Sequence, residues 1–107
     1  MAKALGMIEV YGYTTSIVIA DMVAKTADVK VVAIDKNKPA NAEKCAVPLV
    51  MVVKFEGSVS AVDMAVQAGK AEAERRGMFI ASFIIPRQEE QIEWLAHLNA
   101  LGKSSTI

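Results

Sequence analysis

Side chains that could support catalysis or bind a metal are few in this sequence and stand far apart. The chain has one histidine, His97, and one cysteine, Cys45. His97 falls in a polar part of its segment, so we predict a solvated surface histidine. Cys45 has no CxxC partner and is predicted to be a small buried hydrophobe or an inert loop thiol. Neither residue predicts a nucleophile or a metal centre.

The acidic residues are spaced as charges on helix surfaces rather than as a catalytic pair. Glu72 and Glu74 stand close to Lys70, Arg75 and Arg76, where solvated ion pairs are expected. No GxGxxG or GxxxxGKS/T segment is present to hold nucleotide phosphates. Because the sequence assembles no acid, base and nucleophile, we predict a protein that is not an enzyme and uses no cofactor.

Composition and length limit the class of protein further. The chain has 107 residues, 53% apolar and 22% charged, which suits one domain over residues 1–107. Twelve basic residues balance twelve acidic ones, so the net charge favours neither nucleic acid nor a membrane surface as a partner. No apolar run reaches the roughly 18 residues of a membrane span, and Glu9 comes too early for a signal-peptide core. We therefore expect a small reduced domain of the cytoplasm.

Hydrophobic patterning predicts alternating strands and helices. Strands are predicted over Ala4–Val10, Val29–Ile34, Pro48–Phe55 and Met78–Ile85. Helices are predicted from Thr14 or Thr15 to Thr26, from Ser58 or Ser60 to Gly77, and from Glu89 to Leu101. This order predicts an α+β fold, a ferredoxin-like βαββαβ sandwich with an antiparallel sheet, both helices on one face and an added C-terminal helix.

The first two helices differ in how much of their surface is apolar. The predicted inward stripe of the second helix is Val59, Val62, Ala65, Val66 and Ala73. For the first helix the stripe is Ile17, Ala20, Val23, Ala24 and Ala27, but other apolar residues lie outside it. A helix that is apolar nearly all round is buried on more than one side, and the mean hydropathy of +0.32 is high for a small monomer. We therefore expect the domain to oligomerise.

Four segments together resemble the single-domain shell proteins of bacterial microcompartments, over residues 3–90. They read ALGMIEVYGY, DMVAKTADVKVVAIDK, FEGSVSAVDMAVQAG and FIIPR. The resemblance implies a cyclic homohexamer that tiles edge to edge into the shell of an organelle within the cytoplasm and passes metabolites through an axial pore. It further implies other shell proteins, and encapsulation peptides of cargo enzymes, as partners, with no nucleic acid and no membrane.

The resemblance also implies which residues meet a neighbouring hexamer. Lys25 in DMVAK matches the family's edge lysine, and Arg87 in IIPR matches an arginine of the same rim. Asp28 falls where relatives often carry asparagine, so its hydrogen bonding at the edge differs. The alternatives are a solvated lysine favoured by the helix dipole and an ordinary surface arginine.

The segment between the second and third strands departs from the family pattern. Relatives have a short turn with glycine and serine there, lining the pore, whereas this chain has a longer stretch up to Val47 without glycine. The predicted pore residues are Lys36, Asn37, Lys38, Pro39, Asn41, Lys44 and Cys45. Six copies are expected to crowd the axis with a mildly basic lining; the alternative is a surface excursion that leaves the channel unchanged.

Other readings of the same features remain open. Some relatives with a cysteine at the pore hold an iron–sulfur cluster on the axis, which gives Cys45 a second reading as a cluster ligand. Ferredoxin-like domains of this length also serve as small-molecule sensors or trimeric regulators, with the long loop closing over a ligand, and small α+β barrels act as dimeric enzymes. Mass in solution separates these three classes, since the shell protein is expected to be a hexamer.

Overall fold

Four strands and two helices make up most of the described chain, which in this computed structural model comprises residues 3–37, 49–88 and 97. In chain order they are β1 (Ala4–Tyr11), α1 (Tyr13–Thr26), β2 (Val29–Asn37), β3 (Val50–Gly57), α2 (Val59–Arg75) and β4 (Phe79–Ile85). The predicted order of strands and helices is confirmed for these six elements. Of the predicted C-terminal helix, residues 89–101, the described residues include His97 alone. Residues 38–47 of the predicted loop and Pro48 of the predicted third strand lie outside the described residues.

The strands form one antiparallel sheet in the order β2-β3-β1-β4. Ala4 of β1 pairs with Gly57 of β3, and Tyr11 pairs with Val50. Gly57 also pairs with Val29, the first residue of β2. Strands β1 and β2 begin, and β3 and β4 end, at one end of the sheet, which we call the Gly57 end. The opposite end of the sheet, where β1 and β2 end, is the Tyr11 end.

Both helices contribute to a single apolar core on one face of the sheet. Alternate residues of β1 point into it, because successive side chains of a strand face opposite sides. The core includes Ile8 and Phe55 from the sheet, which are fully buried. Gly6 lies under the Phe55 ring, where a Cβ atom would stand 2.4 Å from Phe55 Cε2. The absence of a side chain on Gly6 is therefore what lets the Phe55 ring fit between β1 and α2.

The inward face of α1 differs from the predicted stripe. Ser16, Ile19 and Val23 are the buried residues of this helix, whereas Ile17 is 43% exposed and Ala24 is exposed. A helix apolar on nearly every side carries no sequence signal for its rotation, so packing against the sheet sets the phase. Ser16 tolerates burial because its hydroxyl donates to the Tyr13 carbonyl at 2.6 Å.

The helix ends confirm one predicted cap and correct another. The Ser58 hydroxyl accepts a hydrogen bond from the Ala61 N–H at the start of α2, as expected of an N-cap. The N-cap of α1 is Gly12, not a threonine, and it makes no side-chain cap. Gly77 follows α2 with a φ of 69°, the left-handed conformation typical of a helix end. Val59, predicted to face inward, is 52% exposed because it is the first residue of α2.

Within the described residues, no helix has the length and apolar character needed to cross a membrane.

Candidate functional site

The three predicted edge residues lie at the Gly57 end of the domain. Lys25 is in the last turn of α1, and Asp28 immediately precedes β2. Arg87 follows β4, whose last residue, Ile85, pairs with Leu5, the second residue of β1. All three are exposed. The fold thus brings residues from distant parts of the sequence to one end of the sheet, where a neighbouring molecule can reach them.

Lys25 is held by a neighbour within its own helix. Its Nζ lies 2.8 Å from Asp21 Oδ2, and the two side chains are 75% and 60% exposed. Exposed pairs at this helical spacing are worth about 0.3–0.5 kcal/mol, since water and salt screen them. That small energy orients the Lys25 ammonium without preventing it from changing partners when another molecule approaches.

The described part of the predicted pore segment lies at the Tyr11 end. Lys36 is exposed, and its backbone N–H donates to Asp35 Oδ1 at 2.9 Å. Asp35 Oδ2 also lies 3.5 Å from Lys54 Nζ, so the Asp35 carboxylate is engaged by β3. Asn37 is the last residue of β2. The other predicted pore residues lie outside the described residues: Lys38, Pro39, Asn41, Lys44 and Cys45.

The two predicted sites therefore occupy opposite ends of one sheet. Strand β1 runs from one end to the other over Ala4–Tyr11. At about 3.3 Å per residue, that strand separates the ends by about 23 Å. A contact made at the Gly57 end consequently leaves the Tyr11 end free to contact something else.

The structure reveals a polar cluster that sequence reasoning missed. Glu56, only 5% exposed, accepts hydrogen bonds from Gln88 Nε2 at 2.7 Å and pairs with His97 Nε2 at 3.1 Å. The prediction that His97 is a solvated surface residue is wrong, because its ring contacts this buried carboxylate. The available signal was a glutamate within a mostly apolar strand, since a buried carboxylate requires donors from elsewhere in the chain.

A second charged group lies on the surface of α2. Glu72 accepts hydrogen bonds from the guanidinium groups of Arg75 and Arg76, which confirms the predicted helix-surface ion pairs. The Arg75 hydrogen bond, and then that of Arg76, lowers the pKa of Glu72 below its ordinary value. The same contact raises the pKa of Arg75. Among residues 3–37, 49–88 and 97, no three His, Cys, Asp or Glu side chains are grouped to hold a metal.

Comparison with known families is consistent with this geometry. The sequence matches the model of the BMC domain over residues 4–88, which is most of the chain. The chain belongs to the BMC domain family. It is 37% identical over 91 residues to the bacterial microcompartment shell protein PduA of Citrobacter freundii, covering 85% of this chain and 88% of PduA. It is 31% identical over 105 residues to the shell protein EutM of Escherichia coli, covering 98% of this chain and 99% of EutM.

Longer BMC-domain proteins are also similar. The shell protein EutK of Salmonella typhimurium is 35% identical over 95 residues, which cover 89% of this chain and 52% of EutK. This chain thus spans about half the length of EutK and of PduK from Citrobacter freundii. A solved structure, a microcompartment protein from Desulfitobacterium hafniense, superposes with a TM-score of 0.70 at 31% identity over 87% of this chain and 48% of that one. This structural similarity supports the four-stranded antiparallel sheet with two helices.

Proposed function

We propose that this protein is a structural component of a bacterial microcompartment shell, located in the bacterial cytoplasm. It forms cyclic hexamers that tile edge to edge into a flat facet. The observation that carries the proposal is the separation of two surfaces at opposite ends of one sheet in a BMC-domain chain. A tile needs such a separation, because one surface meets the ring axis while the other meets the next ring.

The edge contact is assigned to the Gly57 end. Lys25 there meets a neighbouring hexamer across a two-fold axis, so that a single contact, repeated around each ring, propagates the sheet. Asp28 and Arg87 flank it and supply charges of opposite sign. The weak pairing of Lys25 with Asp21 supports this role, since breaking an exposed pair costs little compared with forming a new contact.

The pore is assigned to the Tyr11 end, with the segment from Lys36 to Val47 lining the axis. Lys36, Lys38 and Lys44 outnumber Asp35 and Glu43 in this stretch. The engagement of Asp35 by Lys54 further reduces its effect on the lining. We infer that the opening is narrowed by the six copies and favours small anionic or polar metabolites over cations.

The remaining features of the proposal concern chemistry, fold and partners. We infer that the protein is not an enzyme and carries no cofactor, in line with relatives that are shell proteins. We infer that the topology is ferredoxin-like, with a C-terminal helix over residues 89–101. Its partners are other shell proteins and encapsulation peptides of cargo enzymes, with no nucleic acid or membrane. An anaerobically reconstituted sample without iron–sulfur absorbance would eliminate a cluster at Cys45.

Electron microscopy of the overexpressed protein, with native mass spectrometry, tests the shell role. We expect flat sheets or tubes for the wild type and a hexameric mass for its dispersed form. Lys25→Ala is expected to retain the hexamer and lose the sheets. Lys30→Ala, which removes an exposed lysine from β2, is the matched control and should still form sheets. A discrete trimer or dimer of the wild type would refute the proposal.

A deletion tests the pore assignment separately. Removing residues 37–46 is expected to leave the hexamer intact and to widen its axial opening in a crystal structure. An unchanged channel radius would contradict the assignment and favour a surface excursion, while the shell role would stand.

A further inference from the structure

A buried carboxylate lies on the face of the sheet opposite the helices. Glu56 follows Phe55 in β3, and because side chains alternate along a strand, the two point to opposite faces. Phe55 fills the core beneath the helices, which puts Glu56 on the second face. Only 5% of Glu56 is exposed. A carboxylate removed from water to this degree requires hydrogen-bond donors or a compensating cation.

Both oxygens of this carboxylate are engaged by residues from beyond β4. Gln88 Nε2 donates to Glu56 Oε2 at 2.7 Å, and His97 Nε2 lies 3.1 Å from Glu56 Oε1. Gln88 is also tied to the start of the sheet, because its backbone N–H donates to the Lys3 carbonyl at 3.1 Å and its Nε2 reaches the same oxygen at 3.3 Å. Glu56 is thus the common acceptor for two donors that stand apart in the sequence.

A carboxylate acceptor at the centre of the cluster requires a donor atom on each of its partners. Because an ionised carboxylate only accepts hydrogen bonds, we infer that His97 Nε2 is the donor to Glu56, in either the neutral Nε2–H tautomer or the imidazolium. Gln88 likewise turns its amide nitrogen toward two oxygens. Its Oε1 is left buried without a partner among the described residues. The opposite amide orientation would exchange two donated hydrogen bonds for two repulsive contacts between oxygens.

We propose that Glu56 anchors the chain that follows β4, through Gln88 and His97. Gln88 and His97 contact Glu56 on the second face of the sheet. We call Glu56, Gln88 and His97 the Glu56 clasp. The occupant of the site is this chain itself, because both donors belong to the segment that follows β4. Removing one donor leaves the buried Glu56 carboxylate partly unsatisfied. Loss of either donor is therefore expected to release the other residue from Glu56 as well.

Other charged groups near Glu56 are already engaged or face water. Lys30 pairs with Glu56 in the register of β2 and β3, but Lys30 is exposed. Lys54, two positions earlier on the same face of β3, lies 3.5 Å from Asp35. Lys3 approaches the cluster through its backbone carbonyl, which accepts from Gln88. His97 is therefore the basic side chain within hydrogen-bond distance of Glu56 in the described part of the chain.

Nitrogen NMR of the histidine ring tests the predicted proton position. Because His97 is the only histidine in the chain, protein labelled with nitrogen-15 histidine reports on this ring alone. Solid-state spectra of the assembled protein are expected to show Nε2 protonated, with Nδ1 either bare or protonated. A ring with bare Nε2 and protonated Nδ1 would overturn the clasp, since such a ring has nothing to donate to Glu56.

Proteolysis at Arg87 tests the docking itself. Arg87 is exposed, but trypsin must also bind the following residue, Gln88, in an extended form that the clasp prevents. We expect Glu56→Gln and His97→Leu to be cleaved after Arg87 at least tenfold faster than the wild type. His97→Gln, which keeps a donor, should resemble the wild type. All are compared in the Lys25→Ala background, so that sheet formation cannot shield Arg87.

Two controls separate release of the segment from general loosening. Glu74→Gln removes an exposed carboxylate from α2 and should be cleaved at the wild-type rate. Mass spectrometry of the fragments identifies each cleaved bond. Faster cleavage confined to Arg87 in the two clasp variants supports the proposal. Equal rates in all variants, or a uniform increase at every basic residue, would overturn it.

Discussion

Substitution of Gly6 by alanine tests whether the core is as tightly packed as the structure indicates. A Cβ at this position would stand 2.4 Å from Phe55 Cε2, 2.8 Å from Phe55 Cζ and 2.9 Å from Val62 Cγ1. Both neighbours are fully buried, so neither side chain can move aside into solvent. The new methyl group must therefore displace the Phe55 ring against α2.

Two opposing effects set the expected size of the change. Alanine in place of a strand glycine raises the free energy of unfolding by about 0.5–1 kcal/mol, because it reduces the conformational entropy of the unfolded chain. Overpacking a closed core costs about 1–3 kcal/mol, and contacts this short favour the upper half of that range. We expect Gly6→Ala to lower the free energy of unfolding by about 1–2.5 kcal/mol, the difference between these estimates.

A double-mutant cycle with Phe55→Leu isolates the clash. Leucine removes the ring atoms that the new methyl group would meet, although alone it costs about 1 kcal/mol or more by leaving space in the core. The double variant should be more stable than the sum of the single effects predicts, by about 1 kcal/mol or more. Thermal and denaturant unfolding are measured at one fixed protomer concentration, because assembly raises apparent stability. Additive effects, or a Gly6→Ala variant as stable as the wild type, would refute this account of the packing.

Four further predictions follow from individual contacts. Ser58→Ala should destabilise the protein by about 1 kcal/mol in denaturant unfolding, because the Ala61 N–H loses its cap. Gly77→Ala should cost about 1–2 kcal/mol in the same assay, from its φ of 69° alone, since nothing lies within 4 Å of the added Cβ. The arginines lower the pKa of Glu72 from 4.5, so their contact with Glu72 stabilises the folded protein above that pH. This stabilisation is lost as the pH falls through the folded-state pKa. Glu72→Gln should consequently lose less stability than the wild type on acidification. Rising salt should disperse sheets while hexamers persist in native mass spectra.

The strands were predictable because their signal is local. Runs of β-branched residues and the glycines and prolines around them identified all four strands within about two residues, except for the longer second strand, which extends to Asn37. The rotation of α1 was not predictable in the same way. Its apolar residues occupy nearly every side, and only contact with the sheet determines that Ile19 is buried and Ile17 is exposed.

The candidate sites also differ in how far the sequence predicts them. The edge residues Lys25, Asp28 and Arg87 came from short segments that resemble a family, and the sheet register then gathers them at one end. The Glu56 clasp could not be foreseen from spacing, because its members join β3 to residues far along the chain. Glu56 and His97 are 41 positions apart. Such a cluster has no periodicity, and Gln88 and His97 each have an ordinary surface interpretation.

The distribution of apolar and charged side chains predicts an order of assembly. Tyr13 and Leu49 flank the Tyr11 end and are 59% and 37% exposed, while Ile17 lies one turn further along α1 and is 43% exposed. The predicted contacts at the Gly57 end are charged. Buried apolar contacts are non-directional and insensitive to screening, whereas exposed ion pairs contribute little and weaken with salt. If the exposed apolar residues at the Tyr11 end meet copies within a ring, and the charged residues at the Gly57 end meet other rings, the ring forms first and the association between rings remains reversible.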